Sequence, residues 1–314
     1  MNNIKNRAKN IIANTARYVF LLAFSYVLIY PLFFMISGSF KSLSDFFDPT
    51  VEWIPKRPVM ENFTIAFKAM DFGNAFKNTL LLEIVSAVIE ILSCMVAAYG
   101  LARFRFKGKK ILEFMMLLTI FIPTAMIIIP SYMNYSKMDI LGILGLVNKI
   151  TGHDLRPNIL DSYLVMWLPS LFAVGIKGGL FIYIYKQFFQ GLPREFEEAA
   201  YIDGAGPLKT FLSVILPASG VPIVTVSMFS VVWHWNDYYV AAMYMSKKYP
   251  LSVQLNALPN LISSYMSSNG SGLSIATGPI LLAGCLMTVI PLLIFYVILQ
   301  RRFIASVANS GIVG

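Results

Sequence analysis

Ionisable side chains inside long apolar segments are the first candidates for chemistry in this sequence. Each costs about 2.5–3.5 kcal/mol at the centre of a membrane span, so such groups are rarely present without a role. Three stand out, namely Glu83, Glu90 and Lys177. Glu83 and Glu90 are two helical turns apart, so they share one face, which we expect to point away from lipid. Glu83 lies nearer the outer end of its segment, where we expect solvent to reach it.

Lys177 lies between Gly175 and Gly178, two small residues that let a neighbouring helix approach closely. We expect Lys177, together with Glu90, to lie on a translocation pathway or at an interface with a second subunit. In either place a carboxylate would neutralise the ammonium group. A buried structural ion pair, or a side chain that extends to the membrane surface, is the alternative.

The segment from Trp233 to Tyr239 holds the densest group of aromatic and hydrogen-bonding side chains, including Trp235, Asn236 and Asp237. Aromatic rings stack on the C–H faces of sugars, and Asn and Asp bind sugar hydroxyls, so the composition suits a carbohydrate pathway or external gate. Trp and Tyr are also enriched at the interfaces of any membrane protein. An aromatic belt is therefore the second interpretation of this segment.

Few residues are available for catalysis or for binding a metal. The chain has 2 histidines and 2 cysteines, and Cys94 and Cys285 form no CxxC motif, so neither a disulfide framework nor a metal site is indicated. No HExxH motif, catalytic aspartate pair or serine–histidine set is visible, which disfavours a membrane-embedded enzyme. Residues 204–210 resemble a phosphate loop only superficially, because Leu208 replaces the required glycine and Pro207 removes one backbone amide. The sequence thus predicts no nucleotide site.

The connection over residues 186–210 is acidic and has the pattern of a short helix. Pro193 suits a first helical turn, and Gly204 follows the last acidic residue. Three carboxylates lie near the positive N-terminal end: Glu195, Glu197 and Glu198. One face carries a bulky apolar residue, two small residues and an acid: Phe196, Ala199, Ala200 and Asp203. We interpret this helix as a docking element. An amphipathic helix on the membrane surface is the alternative, but acidic residues match an anionic leaflet poorly.

Mostly apolar elements must position these residues. Of 314 residues, 57% are hydrophobic and 13% are charged, with a mean hydropathy of +0.67, whereas soluble domains carry about 25% charged residues. This composition excludes a soluble enzyme, a secreted disulfide scaffold and a disordered chain. In lipid the backbone N–H and C=O groups must form hydrogen bonds within the chain, which requires helices, and a helix of about 20 residues crosses the hydrocarbon core. Six spans are predicted at residues 18–37, 79–99, 111–129, 163–185, 211–232 and 279–299.

Basic residues are distributed unevenly, and they account for the formal net charge of +9. They cluster in the N-terminal segment, between Arg103 and Lys110, and at Arg301 and Arg302. The positive-inside rule places all three clusters in the cytoplasm, so both termini are predicted to be cytoplasmic. Membrane anchoring explains the cluster at Arg103–Lys110 better than a nucleic-acid site does.

We predict no separate soluble domain. Residues 1–17 form a cytoplasmic segment, residues 18–299 a six-span domain and residues 300–314 a cytoplasmic tail. The predicted external connections are residues 38–78, 130–162 and 233–278, and the last includes a flexible Ser/Asn/Gly-rich loop over residues 263–272. No internal repeat of the kind found in many secondary transporters is visible.

The acidic connection resembles the EAA loop of binding-protein-dependent ABC importer permeases. The motif reads Glu198-Ala199-Ala200, three residues, Gly204, nine residues, and then Val-Ile-Leu-Pro over residues 214–217. The family has isoleucine where Val214 stands. Residues 181–237, with Trp235-Asn236-Asp237, and the earlier Glu61-Asn62-Phe63 are similar to the second permease subunit of the carbohydrate-importer group, of the maltose-permease type. Most of the chain is covered, although residues 311–314 lack the lysine expected in the family's final turn.

The resemblance implies an all-α membrane protein with six transmembrane helices and a cytoplasmic coupling helix between spans four and five. It implies a non-enzymatic permease subunit that imports a sugar or oligosaccharide through the cytoplasmic membrane of a bacterium or archaeon. The residues that contact the ATPase are then Glu198, Ala199, Ala200, Asp203, Gly204, Leu216 and Pro217.

The implied partners are a second, non-identical permease subunit, two ABC ATPase subunits, an extracytoplasmic solute-binding protein and membrane lipid, but no nucleic acid. This chain binds no cofactor itself, because ATP and Mg belong to the partner ATPase. A permease for a peptide, an amino acid or glycerol phosphate is the alternative within this class. An ion-driven secondary transporter is the alternative outside it.

Overall fold

The computed structural model of the protein describes residues 2–139, 142–268 and 277–310, and every regular element in these ranges is a helix. In chain order the helices are α1 (Asn2–Ser39), α2 (Leu43–Phe47), α3 (Glu61–Ala69), α4 (Phe72–Arg103), α5 (Lys109–Phe121), α6 (Thr124–Ser136), α7 (Ile143–Thr151), α8 (Leu164–Leu171), α9 (Gly178–Gly191), α10 (Glu195–Ile202), α11 (Pro207–Ala218), α12 (Gly220–Trp235), α13 (Tyr239–Tyr244), α14 (Leu251–Ser268) and α15 (Gly278–Ser310). Single π-helical turns lie within α4 and α11, at Leu80–Ile84 and Phe211–Ile215.

Three helices of the described chain are long and apolar enough to cross a membrane. They are α1 from Asn10 onwards, α4, and α15 as far as Arg301, at the positions of the first, second and sixth predicted spans. Two helix pairs pass the same test only together, because α5 meets α6 at a bend of 107° and α11 meets α12 at a bend of 78°. Length and composition thus give three spans, or up to five, and the count of six stays a prediction.

The predicted spans at 111–129 and 211–232 are each interrupted by a sharp bend, and proline lies near both breaks. Ile122 is extended, with ψ at 119°, because the ring of Pro123 disfavours a helical conformation in the residue before it. The second break is at Ser219, two residues after Pro217, and α12 starts at the next residue. An apolar run alone does not reveal such bends, since both arms are equally apolar.

The predicted span at 163–185 is also wrong as one helix. It consists of α8 and α9, which are separated by the non-helical residues 172–177. Ala173 and Lys177 adopt positive φ values of 59° and 64°. This conformation costs a residue other than glycine about 1–2 kcal/mol, and it interrupts the helical hydrogen bonds. Lys177 is therefore at the break, immediately before α9, and not within a continuous helix.

The described residues form two compact units. The first, Met1–Met70 with Ala257–Val289, includes α2 and α3 of the first predicted external connection. Its polar centre is the buried Lys41, whose Nζ donates hydrogen bonds to the carbonyl oxygens of Val51 and Glu52 at 2.7 and 2.8 Å. These hydrogen bonds fix the backbone at Val51 and Glu52, immediately before the Pro-rich stretch of this connection.

The second unit, Asp71–Asn256 with Ile290–Gly314, is organised around α4. Helix α4 packs against α8, α9 and α12. Helix α9 meets it with large apolar side chains at every fourth position, Phe181, Tyr185 and Phe189, all of them fully buried. This spacing is that of one helical face, and burial of such a face contributes most of the stability of helix packing.

Part of the connection predicted as flexible is helical. Ser263–Ser268 belong to α14, although the run is rich in serine, so the prediction of a loop is wrong there. The remaining residues of that run, 269–272, and the tail at 311–314 lie outside the described residues. Ser263, Ser264 and Ser267 each donate a hydrogen bond to a carbonyl four residues earlier, which satisfies their hydroxyls inside the helix.

Candidate functional site

The acidic connection contains the predicted short helix, α10. It begins after Arg194, and its first turn holds all three predicted glutamates. At the other end Gly204 adopts φ +75°, a conformation that favours glycine, and its N–H donates to the carbonyl of Tyr201 at 3.0 Å. Ala205 donates to the carbonyl of Ala200 at 2.9 Å, so the last turn is closed by backbone hydrogen bonds. Only four residues, 203–206, separate the end of α10 from the start of α11.

Helix α10 has one face toward the protein and one toward solvent. Glu197 and Ala200 are buried, whereas Glu198, Ala199 and the apolar Ile202 are exposed, Ile202 to 86%. The predicted face of Phe196, Ala199, Ala200 and Asp203 lines an open cavity of about 720 Å³. On its other side this cavity is lined by residues of α11, namely Lys209, Ser213 and Val214.

Leu216 and Pro217 of the predicted set lie at the end of α11, away from that cavity. Pro217 is exposed and Leu216 is half-buried. Both come just before the break at Ser219, where α11 and α12 meet at 78°. These two residues therefore shape the bend below α12 and do not extend the surface of α10.

Two ion pairs, one buried and one partly exposed, were not predicted from the sequence. Arg103 Nε lies 3.0 Å from Glu197 Oε1, with the two side chains 8% and 10% exposed, and Arg103 Nη2 donates to the carbonyl of Leu192 at 2.9 Å. Lys186 Nζ of α9 lies 2.9 Å from Glu113 Oε1 of α5. Local patterns assign Arg103 to the basic cluster and Glu197 to the acidic helix. No signal in the sequence pairs these residues, because the partners lie far apart in the chain.

A second polar cluster lies where α4 meets the break between α8 and α9. Glu90 is fully buried, and its Oε2 lies 3.4 Å from His234 Nε2 of α12. His234 Nδ1 lies 2.9 Å from the carbonyl of Ser230, so Nδ1 carries the proton and Nε2 faces the carboxyl group. A Cβ at Gly175 would lie 2.8 Å from Glu90 Oε1, which shows how closely the break approaches this carboxyl group.

Glu83 is fully buried, so the expectation that solvent reaches it is wrong. Its carboxyl oxygens have no hydrogen-bond partner among the described residues. Glu83 and Glu90 share one buried face of α4, as their spacing predicted. His234 is a buried residue of α12, and the sequence alone offered no reason to pair it with a residue 144 positions earlier.

Lys177 is exposed at the break, and its Nζ lies 5.9 Å from the ring centre of Trp233. No carboxylate forms an ion pair with Lys177 among the described residues, so the predicted neutralisation is not found within this chain. The neighbouring glycines do allow close packing. A Cβ at Gly179 would lie 2.1 Å from Thr119 Oγ1 of α5.

The predicted trio at the end of α12 is not one surface. Trp235 is buried, and its ring centre lies 6.3 Å from that of Phe76, whereas Asn236 is exposed. Asp237 accepts hydrogen bonds from the N–H groups of Val240 and Ala241 and caps the start of α13. Burial raises the pKa of Asp237 to about 6. Asn236 Nδ2 donates to the carbonyl of Val232 at 2.8 Å, so all three side chains have structural contacts and only Asn236 is exposed.

Comparison with known proteins adds three observations. The family described as "Binding-protein-dependent transport system inner membrane component" matches residues 91–309. The chain is 28% identical to the trehalose transport system permease protein SugB of Mycobacterium tuberculosis, over 90% of this chain and 92% of that protein. It is 24% identical to the probable starch degradation products transport system permease protein AmyC of Thermoanaerobacterium thermosulfurigenes, over 93% and 94%.

The fold also has a solved counterpart. A bacterial ABC transporter involved in the import of the acidic polysaccharide alginate contains a chain that matches with a TM-score of 0.73. The match covers 93% of this chain and 96% of that chain, at 20% identity. The likeness concerns the fold.

Proposed function

We propose that this chain, which belongs to the family of binding-protein-dependent transport system inner membrane components, forms one half of the membrane pathway of an ATP-driven carbohydrate importer. A second permease chain would complete the pathway. Two ABC ATPase subunits would dock on the cytoplasmic side, and a solute-binding protein would deliver the solute outside. ATP and Mg would be held by the ATPase, and this chain would transmit the movement that ATP binding causes.

The exposed face of α10 is the single observation that carries this proposal. Ile202 and Phe196 are 86% and 52% exposed on a short helix that also presents Glu198 and Ala199. Exposed apolar side chains in a polar surround are typical of an interaction site. We therefore assign α10, together with Asp203 and Gly204, as the coupling helix that fits a groove of the ATPase. Leu216 and Pro217 would hold the bend through which α10 moves α12.

The carbohydrate substrate is inferred from relatives. Proteins named for trehalose, starch products and diacetylchitobiose transport match this chain over about nine-tenths of its length. Permeases for peptides, amino acids or glycerol phosphate remain the alternative within the class. An ion-driven transporter would have no use for an acidic docking helix.

The pathway is proposed to pass the break between α8 and α9. Lys177 is exposed there beside Trp233, with Glu90 buried behind the break. An exposed ammonium group in an apolar span is costly unless water, solute or a second chain covers it. Asn236 is the exposed member of the trio at the end of α12, so it is the one placed to contact solute. Trp235 and Asp237 would support it from below.

The proposed cycle is alternating access in the cytoplasmic membrane of a bacterium or archaeon, with both termini in the cytoplasm. Closure of the ATPase pair on ATP would carry the two coupling helices inward. The outer gate would then open toward the loaded binding protein, and release of ADP would reset the chain. A short helix held at both ends moves as a rigid body, which suits such a two-state device.

An affinity purification of the tagged chain in mild detergent, followed by mass spectrometry, tests the proposal. We expect a second permease, an ATPase and a sugar-type binding protein. Ala199→Trp adds a large side chain on the exposed face of α10 and should reduce recovered ATPase at least about tenfold, equivalent to about 1.4 kcal/mol. Lys107→Trp, in an exposed loop of the same predicted side, is the matched control and should not change recovery. Recovery of the chain alone, still active without ATP, would favour the ion-driven alternative.

A further inference from the structure

The two adjacent glutamates of the coupling helix have different surroundings. Glu198 is exposed on the face proposed to meet the ATPase, whereas Glu197 is buried and lies 3.0 Å from Arg103. Glu197 is thus turned into the protein and is not available to a partner. Its role must lie within this chain.

Arg103 is the last residue of α4, so the ion pair joins the coupling helix to the helix at the centre of the second unit. Arg103 also donates to the carbonyl of Leu192, just before α10. The guanidinium group therefore holds both the helix and the chain that leads into it. Nη2 makes a hydrogen bond to this carbonyl, whereas the contact of Nε with Glu197 Oε1 is a charge contact without a hydrogen bond.

Helix α4 leads from this ion pair to the proposed pathway. Glu90 is 13 residues before Arg103, which corresponds to about 20 Å along a helix. Between them α4 is packed on one side by Phe181, Tyr185 and Phe189 of α9. Glu90 then contacts the break at Gly175 and the imidazole of His234. A rigid helix thus has the coupling helix at one end and the break beside Lys177 further along.

A buried ion pair contributes little net stability compared with apolar side chains of similar size. It does impose one relative position on its two helices, because movement of either would leave a charge buried without its partner. This physical property is what a mechanical link requires.

We propose that the Arg103–Glu197 ion pair transmits displacement of the coupling helix to α4, and through α4 to the break beside Lys177. Arg103 and Glu197 are positioning residues that act through α10 and α4. This inference rests on the proposed function, since it presupposes that α10 is moved by an ATPase. It adds a second route, because the chain connection through α11 already links α10 to α12.

The molecule contains its own control for this inference. Lys186 and Glu113 form an ion pair at 2.9 Å that joins α9 to α5, with the lysine side chain 10% exposed and the glutamate side chain 24% exposed. This pair resembles the first in type and distance, but neither partner belongs to the coupling helix. Loss of either pair should perturb packing, whereas only loss of Arg103–Glu197 should affect coupling.

The test uses the complete complex in proteoliposomes and measures solute imported per ATP hydrolysed. Arg103→Gln and Glu197→Gln are each expected to lower this ratio at least about fivefold, with the ATPase still bound and still hydrolysing ATP. The double variant should be no worse than either single variant, because both remove one interaction. Glu113→Gln should leave the ratio within about twofold of the parent, as expected for a site that does not share the interaction.

Each outcome decides the inference. An unchanged ratio in Arg103→Gln, or an equal fall in Glu113→Gln, overturns it while leaving the proposed function in place. If the parent chain binds no ATPase, the proposed function itself is overturned. If Arg103→Gln does not assemble, Arg103→Lys replaces it, because an ammonium group keeps the charge but lacks the planar fork whose Nη2 donates to the carbonyl of Leu192. A partial fall in the ratio then supports the inference, and a full ratio overturns it.

Discussion

At the scale of the residue, neighbours in the chain have opposite roles. Glu197 is buried against Arg103, and Glu198 is exposed beside Ala199. Successive residues in a helix point about 100° apart, so adjacent acids can face different surroundings. The same is true of Trp235 and Asn236, the first buried and the second exposed. The residues of one motif can therefore have different roles, and the burial of each side chain indicates which role it has.

Lys177 provides a test at this scale. Lys177→Met keeps the length of the side chain and removes the charge at the break, so we expect transport to fall while the complex still assembles. Lys248→Met is the matched control, because Lys248 also lies over an aromatic ring, with Nζ 4.9 Å from the ring centre of Tyr163. Uptake of labelled solute into proteoliposomes measures both variants. Unchanged uptake in Lys177→Met would remove Lys177 from the pathway.

At the scale of the element, the main feature is that several predicted membrane spans are interrupted by non-helical residues or sharp bends. Three predicted spans are interrupted, at Ile122, at residues 172–177 and at Ser219. Non-helical backbone at membrane depth is tolerated only where it is buried in protein or lines a polar cavity. The break at 172–177 meets this condition on one side, since Glu90 and Ser170 lie against Gly175. We interpret the interrupted spans as the movable parts of the pathway.

The end of α10 allows a sharp prediction about an element. Gly204→Pro cannot adopt φ +75° and loses the N–H that donates to Tyr201, so the coupling helix should lose its defined exit. The protein should still insert into the membrane, but transport should be abolished. The assay is ATPase activity of the reconstituted complex stimulated by the loaded binding protein. Stimulation at the parental level would contradict the prediction.

A matched pair of milder variants isolates the backbone effect. Gly204→Ala meets no atom within 4 Å, so its cost is the strained φ alone, about 1–2 kcal/mol. Gly206→Ala is equally uncrowded, but Gly206 has φ −77°, which any residue adopts. Only Gly204→Ala should reduce stimulated activity.

At the scale of the whole molecule, charge determines orientation. The basic clusters near Arg17, between Arg103 and Lys110, and at Arg301 are predicted to be cytoplasmic. The first predicted external connection contains charges of both signs, including the ion pair of Lys56 with Asp48 at 2.6 Å.

Cysteine labelling measures this orientation. With Cys285→Ala, and with the native Cys94 fully buried, Lys56→Cys should react with an impermeant maleimide on intact cells. Lys107→Cys should react only after the membrane is opened. Lys149→Cys, in another predicted external connection, should behave as Lys56→Cys does. Labelling of Lys107→Cys on intact cells would reverse the predicted topology.

The sequence by itself determined the class of the protein, the positions of its apolar segments and the helix α10. Each of these depends on neighbours in the chain: hydropathy, a repeat of 3.6 residues, or a short motif with Gly204 at its end. Only the tertiary structure decided that Arg103 meets Glu197, that Glu90 meets His234, and that α8 and α9 are separate. Such contacts join residues about 94 and 144 positions apart, and spacing along a chain carries no information about which helical faces meet once the chain is packed.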